Sequence, residues 1–276
     1  MDKQIIITGP TSGIGKVIAL ELACPGVNVT LACRDLGRGE ELAKEIRASK
    51  PGASLEVSLV DTSSQQSIRD FARRFRESHT RLDVLINNAS LSRGVLPKEN
   101  SVDGIELTFA TNVVAYYLLI HQLRELLVAS APARIINVAS EFASDLDLDD
   151  LQFERRPFDS MKAYAQSKAC DRLLTWALAR RVAESNVTAN AMTPGLVTDT
   201  GLYRNAAPEV LSRLRQRGGR TVEQGADTAI WLATSPEVEG VSNKFFFDRQ
   251  EKECQFRNQE NEERLWAICK ELTGTN

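Results

Sequence analysis

Tyr164 and Lys168 stand four residues apart in the stretch Tyr-Ala-Gln-Ser-Lys, which puts a phenol and an ammonium on one face of a helix. A phenol titrates at about pH 10 in water and is a poor proton carrier at neutral pH unless a nearby cation favours its anion. Lys168 is such a cation. Ser140 closes the run Ile-Asn-Val-Ala-Ser, so a hydroxyl is presented where a strand ends. Near the N-terminus, Gly9, Gly13 and Gly15 follow the apolar residues Ile5-Ile6-Ile7. Glycine backbone opening a helix suits a pyrophosphate, whose oxygens are then reached by N–H groups with no side chain in the way. Each feature alone has a plainer reading: Tyr164 as an ordinary residue of an amphipathic helix, Ser140 as a strand-end cap, the glycines as a strand-to-helix turn. Their spacing, Gly-x-x-x-Gly-x-Gly, also differs from the common dinucleotide fingerprint Gly-x-Gly-x-x-Gly.

The elements around these residues alternate. Apolar, β-branched runs at 4–8, 28–33, 55–60, 84–87, 134–138 and 188–192 predict buried strands, and Phe245–Phe247 predicts a seventh. Helical spacing fills 14–23, 38–49, 64–77, 102–127 and 163–184, with a last helix at 258–272. Pro25-Gly26 and Pro51-Gly52 mark turns between a helix and the next strand. Alternation of this kind builds an α/β, doubly wound sandwich, a mostly parallel sheet of about seven strands with helices on both faces. Asn87-Asn88-Ala89-Ser90 then falls at the end of the fourth strand, where the strand order reverses and a ligand crevice opens.

Composition narrows the function. The chain has 276 residues, 42% of them hydrophobic, and no linker-like tract or internal repeat, which predicts one large domain over 1–276. A net charge of -3 offers no general attraction to nucleic acid or to an anionic membrane. No run approaches the length of a membrane span, and the N-terminus has no signal-like pattern, so the expected location is cytoplasmic. Cys24, Cys33, Cys170, Cys254 and Cys269 are odd in number and scattered, as expected of reduced thiols. The acidic run Asp145–Asp150 lacks the turn glycine and closing glutamate of a calcium loop, and His79 and His121 have no ligand cluster, so no metal is expected.

Taken as an ordered set, Thr8-Gly9-x-x-x-Gly13-Ile14-Gly15, Asn87-Asn88-Ala89, Asn112, Ser140, Tyr164-x-x-x-Lys168 and Pro194-Gly195 resemble the short-chain dehydrogenase/reductase family over nearly the whole chain. Within it, the segments beginning at Ala32, Leu146, Thr193 and Leu265 look like the branch of retinol dehydrogenases and protochlorophyllide reductases. The resemblance implies a Rossmann-type fold, with a nucleotide-binding half at about 1–130 and a catalytic and substrate-binding half at about 131–276. It implies hydride transfer between a nicotinamide and a carbonyl or alcohol carbon. Tyr164 would carry the proton, Lys168 would lower the phenol and hold the nicotinamide ribose, and Ser140 would bond the substrate oxygen. Asn112 would hold a water linking the lysine to solvent, although on its own residue type it could equally bond locally within a helix.

Cofactor contacts are expected from Gly9, Thr11, Ser12, Gly13, Ile14, Gly15, Arg34, Asp61, Thr62, Asn88, Ala89, Tyr164, Lys168, Pro194, Gly195, Val197 and Thr198. At the end of the second strand, where an acidic side chain would favour NAD, Cys33 is followed by Arg34, with Arg38 close by. This favours NADP(H). Asp35 complicates the choice, since it could pair with an arginine or turn to the ribose, and Asp61 could serve the adenine or cap the next helix. Departures from the family pattern are Ser90 in place of a glycine, Ala110-Thr111-Asn112-Val113 before the apolar helix, and Asp199 between Thr198 and Thr200.

The variable flap is placed at 196–222, where Leu202, Tyr203 and Val210 mix with Arg204, Arg213, Arg215, Arg217 and Arg220. Phe142, Phe153 and Phe158 lie in the other flanking loop and favour a bulky apolar substrate. The expected partner is a small-molecule carbonyl or alcohol, with nucleic acid and an integral membrane segment excluded and a homodimer left open. The reading is an NADPH-dependent carbonyl reductase. Non-redox chemistry on the same fold, by a cyclase, dehydratase or epimerase, and a nucleotide-binding regulator are the alternatives.

Overall fold

A computed structural model describes residues 2–203, 205–216 and 218–275. Arg204 and Arg217, two of the flap arginines, lie outside the described residues. The strands are β1 (Lys3–Thr8), β2 (Val27–Cys33), β3 (Ser54–Leu59), β4 (Val84–Asn87), β5 (Ala133–Val138), β6 (Val187–Met192), β7 (Phe245–Phe247) and β8 (Gln250–Glu251). They form one sheet in the order β3-β2-β1-β4-β5-β6-β7-β8. All neighbours are parallel except β7 and β8. The expected seven strands are therefore eight. Gln250 and Glu251 are exposed and carry no apolar pattern, so β8 leaves no trace in the sequence.

Helices α1 (Gly13–Leu22), α2 (Leu36–Ser49), α3 (Gln65–Ser78), α5 (Ala115–Ala129), α6 (Ser160–Arg181), α8 (Val222–Thr234) and α9 (Gln259–Thr273) surround the sheet, with α4 (Leu107–Phe109) and α7 (Pro208–Gln216) shorter. Two apolar layers result. Ile5, Ile7, Val29, Leu31 and Ile136 pack with α1, α2 and α8, whereas Ile6, Leu85, Ile135 and Ala189 pack with α3 and α5. Alternate strand residues thus feed opposite layers, as a sheet covered on both faces requires.

The helix expected to begin at 102 begins at Leu107 instead. Val102 lies in a turn at the surface, and Glu106 caps the start by accepting from Thr108 N at 2.9 Å and Phe109 N at 2.7 Å. From Ala110 to Val114 the backbone widens into a π-turn before α5 resumes. Such widening is a recurrent mark of functional positions, and here it contains Asn112. Among the described residues no helix is long and apolar enough to cross a membrane.

Candidate active site

The C-terminal ends of β1, β4, β5 and β6 point to one edge of the sheet, and the site is built there. Between β1 and β4 the strand order reverses, and Thr8 spans the gap. Its buried hydroxyl accepts from Asn88 N at 2.9 Å and Ala89 N at 3.0 Å. In return Asn88 Nδ2 donates to the carbonyls of Thr8, at 2.9 Å, and Gly9, at 3.1 Å. The glycine turn and the fourth strand are thereby locked into one unit.

The glycines fit this unit for steric reasons. Gly9 has φ +65°, and a methyl group on it would stand 2.9 Å from Ala89 Cα. A methyl on Gly15 would collide with the Gly9 carbonyl and come within 2.5 Å of Asn88 Nδ2. Ser12 precedes α1 without capping it by its side chain, so that turn's N–H groups receive no acceptor from the cap. The cradle is what a pyrophosphate at a helix N-terminus requires.

Arg34 is exposed beside it, and Arg38 Nη2 donates to the Thr11 carbonyl at 3.2 Å, tying α2 to the glycine turn. Asp35 forms no ion pair with an arginine among the described residues. It is the N-cap of α2, accepting from Arg38 N at 3.1 Å. Asp61 accepts from Ser63 N and Oγ, at 2.9 Å and 2.7 Å, while Ser64 caps α3, so Asp61 shapes the turn before that helix without being its cap. Thr62 lies in this same turn, half-buried.

Residues from the far half close over the glycine turn. A methyl on Gly225 of α8 would meet Val197 Cγ2, Ile14 Cγ2 and Pro194 Cβ, so those three expected contact residues converge there. One on Gly13 would stand 3.2 Å from Thr200 Cγ2, and one on Gly219 2.8 Å from Thr198 Oγ1. Gly195, with φ +71°, donates its N–H to Thr193 Oγ1 at 3.1 Å.

The reacting groups sit on β5 and α6. Asp159 caps α6 by accepting from Met161 N and Lys162 N, and every residue from Ala163 to Ala179 is buried. A helix buried on all sides lies in the core of the fold, so its polar side chains must find partners inside it. Lys168, 1% exposed, donates from Nζ to the Val138 carbonyl at 3.0 Å and to Asp171 Oδ2 at 2.8 Å. Its Nζ lies 5.8 Å from the centre of the Tyr164 ring and 5.6 Å from that of Tyr116. Burial pushes the Tyr164 phenol well above its ordinary 10, against a hydrogen bond from Ser140 that lowers it, and the Asp171 charge adds to the rise. Ser140 Oγ also accepts from Phe142 N at 3.1 Å, and the buried Arg172 donates to the Ser140 carbonyl.

Asn112 is fully buried. Its Oδ1 accepts from Leu91 N at 2.7 Å, and its Nδ2 donates to Leu91 O at 3.0 Å and Ser167 Oγ at 2.9 Å. Its carboxamide therefore pins the loop after β4 to α6, with both Nδ2 hydrogens engaged. Ser90, on that loop, has a buried hydroxyl with no partner among the described residues. An unpaired donor beside Ala89 fits a polar group entering the crevice.

Sequence reading missed several groups. Thr8 stands at the head of the glycine motif, but no sequence pattern gives its hydroxyl a role. Asn87, Asn137 and Thr175 form a buried chain, Asn87 Nδ2 to Asn137 Oδ1 and Asn137 Nδ2 to Thr175 Oγ1, both at 2.9 Å. Asp171 and Arg172 were available as charges in a helix whose neighbours are otherwise small or apolar. Around the mouth, Phe142 is half exposed and stacks on Tyr164 with ring centres 6.4 Å apart. Tyr203 stands close by, its phenol raised to about 12 by burial and then by Tyr164. Phe153 instead is buried, edge-on to Phe158 and under Arg156, so it belongs to the core of the loop. Asp150, from the acidic run, accepts from the backbone of Glu154, Arg155 and Arg156.

The model of the short chain dehydrogenase family matches residues 3–210. The chain belongs to the short-chain dehydrogenase/reductase family. Within it the chain stands on the retinol dehydrogenase branch and is an NAD(P)-dependent oxidoreductase. It is 36% identical to mouse retinol dehydrogenase 13 over 282 residues, covering 99% of this chain and 84% of that one. To human retinol dehydrogenase 12 it is 36% identical over 276 residues, covering 99% and 86%. A solved structure of an uncharacterised protein from Mycobacterium paratuberculosis superposes with TM-score 0.77 at 27% identity, covering 99% and 94%. The Pseudomonas aeruginosa RhlG/NADP active-site complex does so with TM-score 0.72 at 27% identity, covering 88% and 93%.

Proposed function

We propose that the protein reduces a carbonyl group on a bulky, largely apolar small molecule with NADPH, or oxidises the corresponding alcohol. The observation that carries this reading is the buried Tyr164 phenol with Ser140 among the groups that act on it and the Lys168 ammonium held beside its ring. A carbonyl oxygen placed between the two hydroxyls receives a hydrogen bond from Ser140 and a proton from Tyr164. The phenol is raised by burial, so it is protonated at neutral pH and ready to act as the donor. Lys168 stabilises the phenolate left behind. When bound, NADPH would supply the hydride from its nicotinamide C4.

The cofactor residues fit that group. Gly9, Gly13 and Gly15 leave space that a side chain would fill, and Arg34 and Arg38 put cations where a 2′-phosphate would lie. The NADP complex among the similar solved structures supports the same choice. For the substrate, support comes from Phe142, exposed and stacked on Tyr164, from the partly exposed Val210, and from relatives named as retinol dehydrogenases.

In the deciding experiment the protein is incubated with NADPH deuterated at the transferred C4 position and a panel of apolar aldehydes, retinal included. The expected result is NADPH loss matching product one for one, with deuterium on the former carbonyl carbon. Product formed without net NADPH loss would replace the reductase with a non-redox enzyme.

A further inference from the structure

Asp171 lies one turn beyond Lys168 on α6 and has no part in the proton transfer just described. It is 0% exposed, its Oδ2 accepts from Lys168 Nζ at 2.8 Å, and its Oδ1 has no partner among the described residues. A carboxylate taken fully out of water is costly unless it is paired, and this one is held by a single ammonium contact. Burial pushes it up to about 6, against the pull of Lys168.

The groups facing it come from three helices. Lys168, Cys170, Arg172 and Tyr164 share α6 with it, Tyr116 faces it from α5, and Cys269 faces it from α9. Its charge raises both tyrosines and both cysteines. Arg172 contributes to it only at a distance, because that guanidinium bonds the Ser140 carbonyl and covers the Phe245 ring at 4.0 Å. Lys168 is the cation in direct contact.

An ammonium has three hydrogens, and the Val138 carbonyl and Asp171 take two of those on Lys168. One is left for the cofactor side. We propose that Asp171 is a positioning residue for Lys168. It fixes the direction of the ammonium, and its charge offsets part of the lysine's field at Tyr164, which keeps the phenol protonated and biases the site toward proton donation. The inference rests on the reductase reading and deepens it.

The test compares wild type, D171N and Y164F as NADP+ complexes by tyrosinate ultraviolet difference titration, with the Y164F trace subtracted, and by the pH profile of kcat. Removing the carboxylate charge exposes Tyr164 to an uncompensated ammonium. In D171N its ionisation should therefore fall by about one pH unit in both measurements. A D171N profile that overlays wild type, or moves to higher pH, overturns the proposal. D171T, which also drops the charge, carries the same expectation if D171N is unfolded by circular dichroism. Loss of folded protein in both variants overturns it in favour of a purely structural role. If instead wild type binds no NADP+ or Y164F turns over normally, the reductase reading has failed and the Asp171 proposal falls with it. That outcome is separate from an unchanged D171N profile in an enzyme that Y164F inactivates.

Discussion

Helix α6, which carries Tyr164 and Lys168, and helix α7, within the expected flap at 196–222, are built in opposite ways. In α6 every residue from Ala163 to Ala179 is buried, the N-terminus is capped by Asp159, and Arg180 and Arg181 at the other end pair with Glu262 and Glu263 of α9. Helix α7 spans nine residues, and no described residue in it is buried. Tyr164 and Lys168 thus ride on an element held from all sides, whereas α7 is seated by no buried residue among those described. The chemistry is held rigidly, and the surface that would choose the substrate is left free to vary.

Substitutions on the two elements should separate accordingly. Tyr164→Phe removes the proton donor without emptying the core, so kcat should fall by about 100-fold or more while NADPH still binds. Wild-type turnover in that variant would break the contrast at its strongest point. Between the two helices in consequence comes Arg34→Ala, which should raise the Kd for NADPH by roughly 10- to 150-fold and leave NADH nearly unchanged. Equal weakening of both, read by nicotinamide fluorescence, would mean that the arginine supports its loop and meets no phosphate. On α7, Val210→Ala should lower kcat/KM for an apolar substrate by no more than about tenfold, with an unchanged Tm. A fall in Tm comparable to that of a core substitution would show the flap to be as firmly packed as α6.

The smallest effect concerns the α6–α9 clamp. Glu263 is held down to about 2 from its ordinary 4.5 by hydrogen bonds from Arg181 and Arg180. A depressed carboxyl contributes stability above its unfolded-state value and loses it as the pH falls through the folded one. Glu263→Gln should therefore lower Tm at neutral pH, with the difference from wild type shrinking as the pH drops from 4.5 toward 2. The effect is modest, because the side chain is part exposed and screened.

The same contrast governs what the sequence allowed to be read. Strands β1, β2 and β4 to β7 were legible because buried β-branched and aromatic runs carry their own signal, and their ends moved by at most a residue; the run at 55–60 reads as equally buried, yet β3 is an edge strand with no buried residue. Tyr164, Lys168, Ser140 and the glycines were singled out as an ordered set through the family resemblance, because each residue type taken alone has a plainer reading. Val102 misled because an apolar residue in phase with a helix can sit in a turn, and no periodicity announces a π-turn at Ala110–Val114. Arg220, placed in the flap by sequence, pairs with Asp248 and lies 5.0 Å from the Phe247 ring centre. Partners that distant in the chain cannot be inferred from local pattern. Asp171 escaped notice for a related reason, since a charge inside a helix ordinarily marks the side that faces water.

The hairpin at the sheet's last edge reaches beyond catalysis. Asp248 and Arg249 both adopt positive φ in a two-residue turn, and each is tied down, Asp248 to Arg220 and Arg249 to Asp227 of α8. The chain thereby folds back as β8 over a final strand of aromatic residues that would otherwise offer its backbone to any passing extended peptide. A rim of two exposed polar residues is a poor template for strand addition. Copies of this protein that meet in solution gain little from continuing one another's sheets on that side, and lasting association there has to be made by side chains instead.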